Sequence, residues 1–187
     1  MDAKQKILNA FNELICEQDF YSVTVRQIVR KAGVSRATFY RHFHDKYDVM
    51  NYNFSYLIES SIAHRSFHTM EDLFVLILEK GKEVWHPLLP LFNTEGANNL
   101  KDFICDYSYQ TAERLYEYGN LNGSGKKKRT LNAKEHLQLK IFCYGCAGFF
   151  EDWIGGKYSL NSIQAAQALY ESLPECLRGE LISAYSL

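Results

Sequence analysis

The chain has 187 residues, 47% hydrophobic and 23% charged, with only 3 prolines and 11 glycines. That balance belongs to a folded globular protein and excludes a disordered tail. A net charge of −1 argues against a chain that coats nucleic acid indiscriminately, although residues 1–50 carry 8 basic against 6 acidic side chains and the remainder 13 against 16. Apolar residues recur mostly at helical spacing, which predicts an all-α fold.

The longest strongly apolar run, Leu73 to Leu78, is far short of the roughly 18–20 residues that span a bilayer. The first residues move straight into an amphipathic pattern with no apolar signal core. The expectation is a cytoplasmic protein with no membrane partner. Five cysteines scattered from Cys16 to Cys176 lack the spacing of a disulfide framework and read as buried small hydrophobes.

In chain order, Asp2 to Glu17 reads as a helix with an apolar stripe of Ile7, Leu8, Phe11, Leu14 and Ile15. The stretch Asp19 to Ser22 breaks it. Thr24 with Gln27 three residues on is a capping-box pattern for a short second helix, whose inward face is Val25, Ile28, Val29 and Ala32. Gly33 ends that helix because a tight turn needs positive φ there. Ser35 then caps a third short helix, Arg36 to His42.

Two short helices, a glycine-containing turn and a polar second helix make a helix-turn-helix. Phe39 and Phe43, four apart, face inward, which leaves Arg36, Thr38, Arg41, His42 and the Tyr40 hydroxyl outside. Arginine can bond guanine bidentately, threonine can touch a thymine methyl, and hydroxyls and lysine can hold phosphates. Asp45 caps a long fourth helix with Lys46 in its first turn, where a cation works against the helix dipole. A nearby phosphate would account for that lysine.

The segment Thr24 to Lys46, with Ala-Gly-Val-Ser, Phe-Tyr-Arg-His-Phe and Asp-Lys, closely resembles the signature of the TetR family of transcription regulators. The resemblance covers the first 50–60 residues. It implies a three-helix DNA-binding domain at 1–46 and a helical ligand-sensing and dimerising domain at 47–187. It also implies base reading by Arg26 and Arg36 with Ala37 and Thr38 close to the bases. Thr24, Ser35, Tyr40, His42 and Lys46 would contact phosphates, and Arg41 is open between base, phosphate and solvent. The partners implied are operator DNA, a second copy of the chain and a small-molecule effector.

Further helices are expected at Asp45 to about Ala63, from a Thr69/Asp72 cap to about Val84, from Leu100 to Tyr118, at Ala133–Ile154 and at Leu160–Leu173. A loop falls at Asn93 to Asn99, and the glycine- and lysine-rich Gly119 to Asn132 reads as a surface loop. The last two helices carry a large apolar surface with small residues beside aromatics, from which a homodimer interface is inferred through Ile141, Tyr144, Gly148, Phe149, Trp153 and Leu169. Tyr52, Tyr56, Trp85, Phe103, Tyr107 and Phe142 are candidates to line an apolar pocket with a few hydroxyls. The region from Tyr144 to Ser159 also resembles, weakly, regulators of dihydroxyacetone-kinase operons.

Nothing in the sequence supports an enzyme, and no cofactor or metal is expected. Cys143 and Cys146 form a C-x-x-C, but inside a predicted helix and without a second pair for zinc. His64 and His68 are four apart without the context of a metalloprotease motif. The reading is a ligand-responsive regulator, a repressor that binds a palindromic operator as a homodimer. The alternative is a DNA-tethered protein-interaction module that senses nothing.

Overall fold

The computed structural model describes residues 2–63, 69–84, 100–119 and 130–175, with positions 89, 92 and 178. Among these there are eight α-helices and no β-strand: α1 (Ala3–Glu17), α2 (Val25–Ala32), α3 (Arg36–His42), α4 (Lys46–Ala63), α5 (Met70–Val84), α6 (Leu100–Gly119), α7 (Ala133–Ile154) and α8 (Ser162–Ser172). A single 3-10 turn, Phe20–Ser22, joins α1 to α2. The expected all-α class is what the chain adopts. The expected loop at 93–99, His64, His68, Trp85, His86-Pro87 and the basic run at 126–129 lie outside the described residues.

The chain divides into two compact units, Met1–Leu57 and Ile58–Leu187. In the first, α1 packs on α2 and α3. Its core is Ile7, Leu8, Phe11, Leu14 and Ile15 of α1, closed by Phe20, Val23, Ile28, Phe39, Phe43 and Val49, all buried. The head's packing therefore runs several turns into α4, beyond residue 46.

The buried face of α4 is Val49, Met50, Asn53, Phe54 and Ile58, while Tyr56 is exposed. Asn53 is a polar residue in that apolar row, and a reciprocal amide pair with Asn12 of α1 satisfies it. Asn53 Nδ2 donates to Asn12 Oδ1 at 2.8 Å, and Asn12 Nδ2 donates back to Asn53 Oδ1 at 3.3 Å. A buried amide left without such a partner would cost about 1–3 kcal/mol.

In the second unit α5 packs against α8 and α7, and α6 against α7. Thr69 and Asp72 cap α5 reciprocally. Asn132 with Glu135, and Asn161 with Gln164, form full capping boxes on α7 and α8. Gly81 is required where α5 meets α7, since a Cβ there would lie 2.6 Å from the ring of Phe150. Trp153 is buried on the same side, its indole N–H donating to the Leu160 carbonyl at 2.9 Å while the Lys82 ammonium sits 4.9 Å from its ring centre.

Candidate nucleic-acid interface

The turn between α2 and α3 is built as its residues dictate. Thr24 caps α2 in a full box: its hydroxyl accepts from Gln27 N–H at 3.2 Å, and Gln27 Oε1 accepts from Thr24 N–H at 2.8 Å. Gly33 then takes φ 64°, the left-handed region that a side chain resists. Ser35 starts α3, its hydroxyl accepting from Thr38 N–H at 3.0 Å and lying 2.9 Å from the Thr38 hydroxyl. These contacts fix where α3 begins and which face it turns outward.

That face carries most of the expected readers. Phe39 and Phe43 are buried, so the helix is pinned from beneath. Arg36, Ala37, Tyr40 and Arg41 are exposed, as are Ser35, Thr24 and Arg26, while Thr38 and His42 are half-buried. Tyr40 is 56% exposed with its ring edge-on to Phe39, which aims the phenol outward. His42 lies tilted against Phe43. The hydroxyls of Thr24 and Ser35 already serve as caps; that of Thr24 also lies 2.8 Å from Gln27 Oε1.

Lys46 has different surroundings. Its ammonium donates to the carbonyls of Phe20 at 2.9 Å, Tyr21 at 3.0 Å and Val23 at 2.9 Å, and lies 4.5 Å from the centre of the Phe20 ring. Three protons meet three acceptors. Burial pulls its pKa below 10.5, opposed by the charges of Asp19 and Asp45. The mismatch with the helix dipole is met by carbonyls of its own chain. Asp45 caps the helix beside it, accepting from Tyr47 and Asp48 N–H.

Residues 7–52 match the model of the tetR family of bacterial regulatory proteins. The head is a TetR-family DNA-binding domain. A stretch of 36 residues, 19% of this chain, is 44% identical to an HTH-type transcriptional regulator of Haemophilus influenzae, and it takes in 18% of that protein's length. The fold as a whole is similar to that of the dihydroxyacetone kinase operon activator DhaS, with a TM-score of 0.59 at 13% identity over 91% of both chains. It is also similar to the TetR-family repressor AlkX of Dietzia, with a TM-score of 0.51 at 16% identity over 89% of this chain and 90% of that one. At such identities the likeness is one of fold. The match of the head is to a family of bacterial regulatory proteins.

The remaining candidates separate. Tyr52 and Tyr56 stack on each other within the head unit, and Tyr52 packs against Phe43 with the Lys4 ammonium 3.4 Å from its ring centre. Phe103, Tyr107 and Phe142 belong to the second unit. There Phe103 stacks on Tyr107, Phe142 packs against Phe74, and the Tyr107 hydroxyl bonds Glu59. Trp85 lies outside the described residues. Of the five described candidates, two fall in the first unit and three in the second.

Of the residues expected at a dimer interface, Ile141 (63%) and Tyr144 are exposed, whereas Trp153 is 2% exposed and belongs to its own protomer's core. Phe149 and Leu169 are half-buried, Phe149 stacked on Tyr158. Leu137 and Ile163 are also exposed, at 61% and 62%, and Leu137 lies on the same face of α7 as Ile141. The spacing 137, 141, 144, 148 on one face of α7 is the signal that marks the row.

Burial pushes the Cys143 thiol up to about 12, with Cys105 adding to the effect, and also raises Cys105 and Cys146. Raised pKa values favour the protonated form of these thiols, and the buried Cys105 and Cys143 pack in the core. Among the described residues no cluster of metal-ligating side chains occurs, and no helix is long and apolar enough to cross a membrane.

Proposed function

We propose that the protein is a homodimeric, ligand-responsive regulator of the cytoplasm that sets two copies of α3 into successive major grooves of a palindromic operator. The observation that carries the reading is the face of α3. Arg36, Tyr40 and Arg41 stand exposed on a helix whose other side, Phe39 and Phe43, is fully used by the core. Arg36 and Arg26 read base edges, with Ala37 and Thr38 beside them, while Tyr40, His42, Thr24 and Ser35 hold phosphates and Arg41 serves either.

Leu137, Ile141, Tyr144 and Ile163 support a dimer through α7 and α8. So do Gly145 and Gly148 in the same row of α7. A Cβ at Gly145 meets nothing within 4 Å, and one at Gly148 meets only the end of the flexible Lys101 side chain at 3.7 Å. Glycine costs a helix interior roughly 0.5–1 kcal/mol relative to alanine. Nothing in the protomer requires it at either position, whereas close approach of a second α7 would. Two-fold symmetry then demands matching DNA half-sites about one turn, ~34–36 Å, apart.

The body's aromatic residues, Phe103, Tyr107 and Phe142 among them, support a small organic effector. Such a ligand shifts the dimer only by its differential affinity for two states. The two similar structures named above are an activator and a repressor, so the fold serves both signs. Repression is favoured here because occupancy of a promoter suffices for it.

Selection from random duplexes tests the reading. The expected result is enrichment of one palindromic sequence bound by two protomers. Equal, weak binding to enriched and scrambled duplexes would sink it.

A further inference from the structure

We infer that Lys46 is a positioning residue for DNA reading, a latch that ties the start of α4 to the turn that launches α2, and that it does not itself touch DNA. The inference rests on the reading of the head as a sequence reader and names a further part of its machinery.

The geometry begins with the acceptors. The carbonyls of Phe20, Tyr21 and Val23 belong to the 3-10 turn and its exit, the residues immediately before Thr24. They converge on one point, and the Lys46 ammonium fills it with three bonds of 2.9–3.0 Å. An ammonium has three protons, so none remains for a phosphate oxygen. The Phe20 ring beneath, itself packed edge-on to Phe11 and Tyr47, closes the socket from the apolar side. The latch therefore joins three elements: α1 through the Phe20 ring packed on Phe11, α4 through Lys46, and α2 through the turn that ends at its N-cap.

Consequences for reading follow from rigidity. The entry of α2 is held by Thr24 and Gln27 at its own end, and beyond that turn the cap reaches only Gln18, whose Oε1 accepts from the Gln27 amide at a long 3.4 Å. What fixes that turn to the rest of the head includes this socket, alongside the buried Val23 and Ile28. Loss of the latch lets the α2–α3 unit shift by fractions of an ångström relative to α1 and α4. Base readout, which depends on bidentate geometry, suffers from such a shift, whereas generic attraction to phosphates does not. An arginine keeps the charge, yet its planar fork cannot deliver three protons to one converging point.

The test uses full-length protein, the duplex enriched by the wild type, and a scrambled duplex of equal length, titrated by fluorescence anisotropy at four salt concentrations. Lys46→Arg and Lys46→Met, each checked for helical content, are expected to lose at least ten-fold on the enriched duplex. On the scrambled duplex they bind within about two-fold of wild type with an unchanged salt slope. If Lys46→Arg keeps wild-type affinity while Lys46→Met weakens both duplexes alike and flattens the slope by about one unit, Lys46 holds a phosphate and the proposal is overturned. Two variants that bind like wild type would overturn it as well. Should Lys46→Met fail to fold, the wild-type ammonium is followed by nitrogen-15 NMR: its resonance stays in place on adding duplex if latched and moves if it meets a phosphate. A wild type that enriches no sequence at all defeats the regulator reading itself, a result visible before any variant is made.

Discussion

Ile141→Glu is the most direct challenge to the dimer. Ile141 is 63% exposed in the protomer, midway along the row formed with Leu137 and Tyr144. Full burial of an isoleucine stabilises by about 1.5–3 kcal/mol, so the part still exposed accounts for roughly 1–2 kcal/mol when a partner covers it. A two-fold interface counts every substitution twice. The expected loss is about 2–4 kcal/mol, a rise in dimer Kd of roughly thirty-fold to a thousand-fold. Two buried carboxylates would add to it.

Sedimentation equilibrium over a hundred-fold range of protein concentration reads that shift directly. The Gly145→Ala variant serves as its control, because it separates protomer from dimer by sign. Alanine meets nothing in its own chain, so it should stabilise the helix by up to about 1 kcal/mol while weakening the dimer by crowding the partner helix. Should Ile141→Glu keep the wild-type dimer constant, the α7 row is not the interface. A Gly145→Ala protein that gains stability with no change in association would also remove the argument from close approach.

Arg36→Ala should weaken binding to the enriched duplex by about 1–3 kcal/mol and relax preference at one base position, checked by repeating the selection with the variant. Tyr40→Phe should weaken enriched and scrambled duplexes about equally, since a lost phosphate contact carries no sequence information. Asn53→Ala should destabilise the head by roughly 1–3 kcal/mol by stranding the Asn12 amide. Urea titrations of Asn12→Leu, Asn53→Leu and the double variant should give a coupling of about 1 kcal/mol or more, and additive single effects would refute the pairing. The buried thiols predict alkaline weakening: with Cys143 pushed from 9.0 to about 12, the native state keeps protons that the unfolded chain releases. Stability is therefore intact below pH 9 and falls above it, by up to about 1.4 kcal/mol per pH unit for that thiol. In an Ellman assay at pH 8 the exposed Cys16 should react at once, while Cys105 and Cys143 wait for unfolding.

What the sequence made legible was local. The Thr24/Gln27 box, the turn at Gly33, the Ser35 cap and the Phe39/Phe43 pair are signals written within four residues of each other. Each appears in the fold at its expected position. The family signature over residues 24–46 lies on that same local ground. Long-range partnerships left no such mark. The Asn12–Asn53 pair joins residues 41 apart, and each asparagine alone reads as a surface residue. The Lys46 socket is harder still, because its acceptors are backbone carbonyls 23–26 residues away, and every residue type carries a carbonyl.

The ambiguity of α7 has a different cause. Leu139, Cys143, Ala147, Phe150 and Trp153 form its buried face, and Leu137, Ile141 and Tyr144 an exposed one. A helix apolar on both sides gives periodicity little to grip, since no polar stripe marks which side meets solvent. The pattern therefore places Trp153 at the interface with a partner, although it is buried in its own protomer. The deciding contact is the hydrogen bond from its indole to the carbonyl of Leu160, in the connection to α8. That bond turns the ring inward, whereas the smaller Leu137 and Ile141, with Gly145 one turn further on, stay exposed on the face proposed to meet a second copy. In such a helix, the bulky residue with a polar atom goes where that atom can be satisfied. The purely aliphatic and glycine positions remain for close packing against another chain.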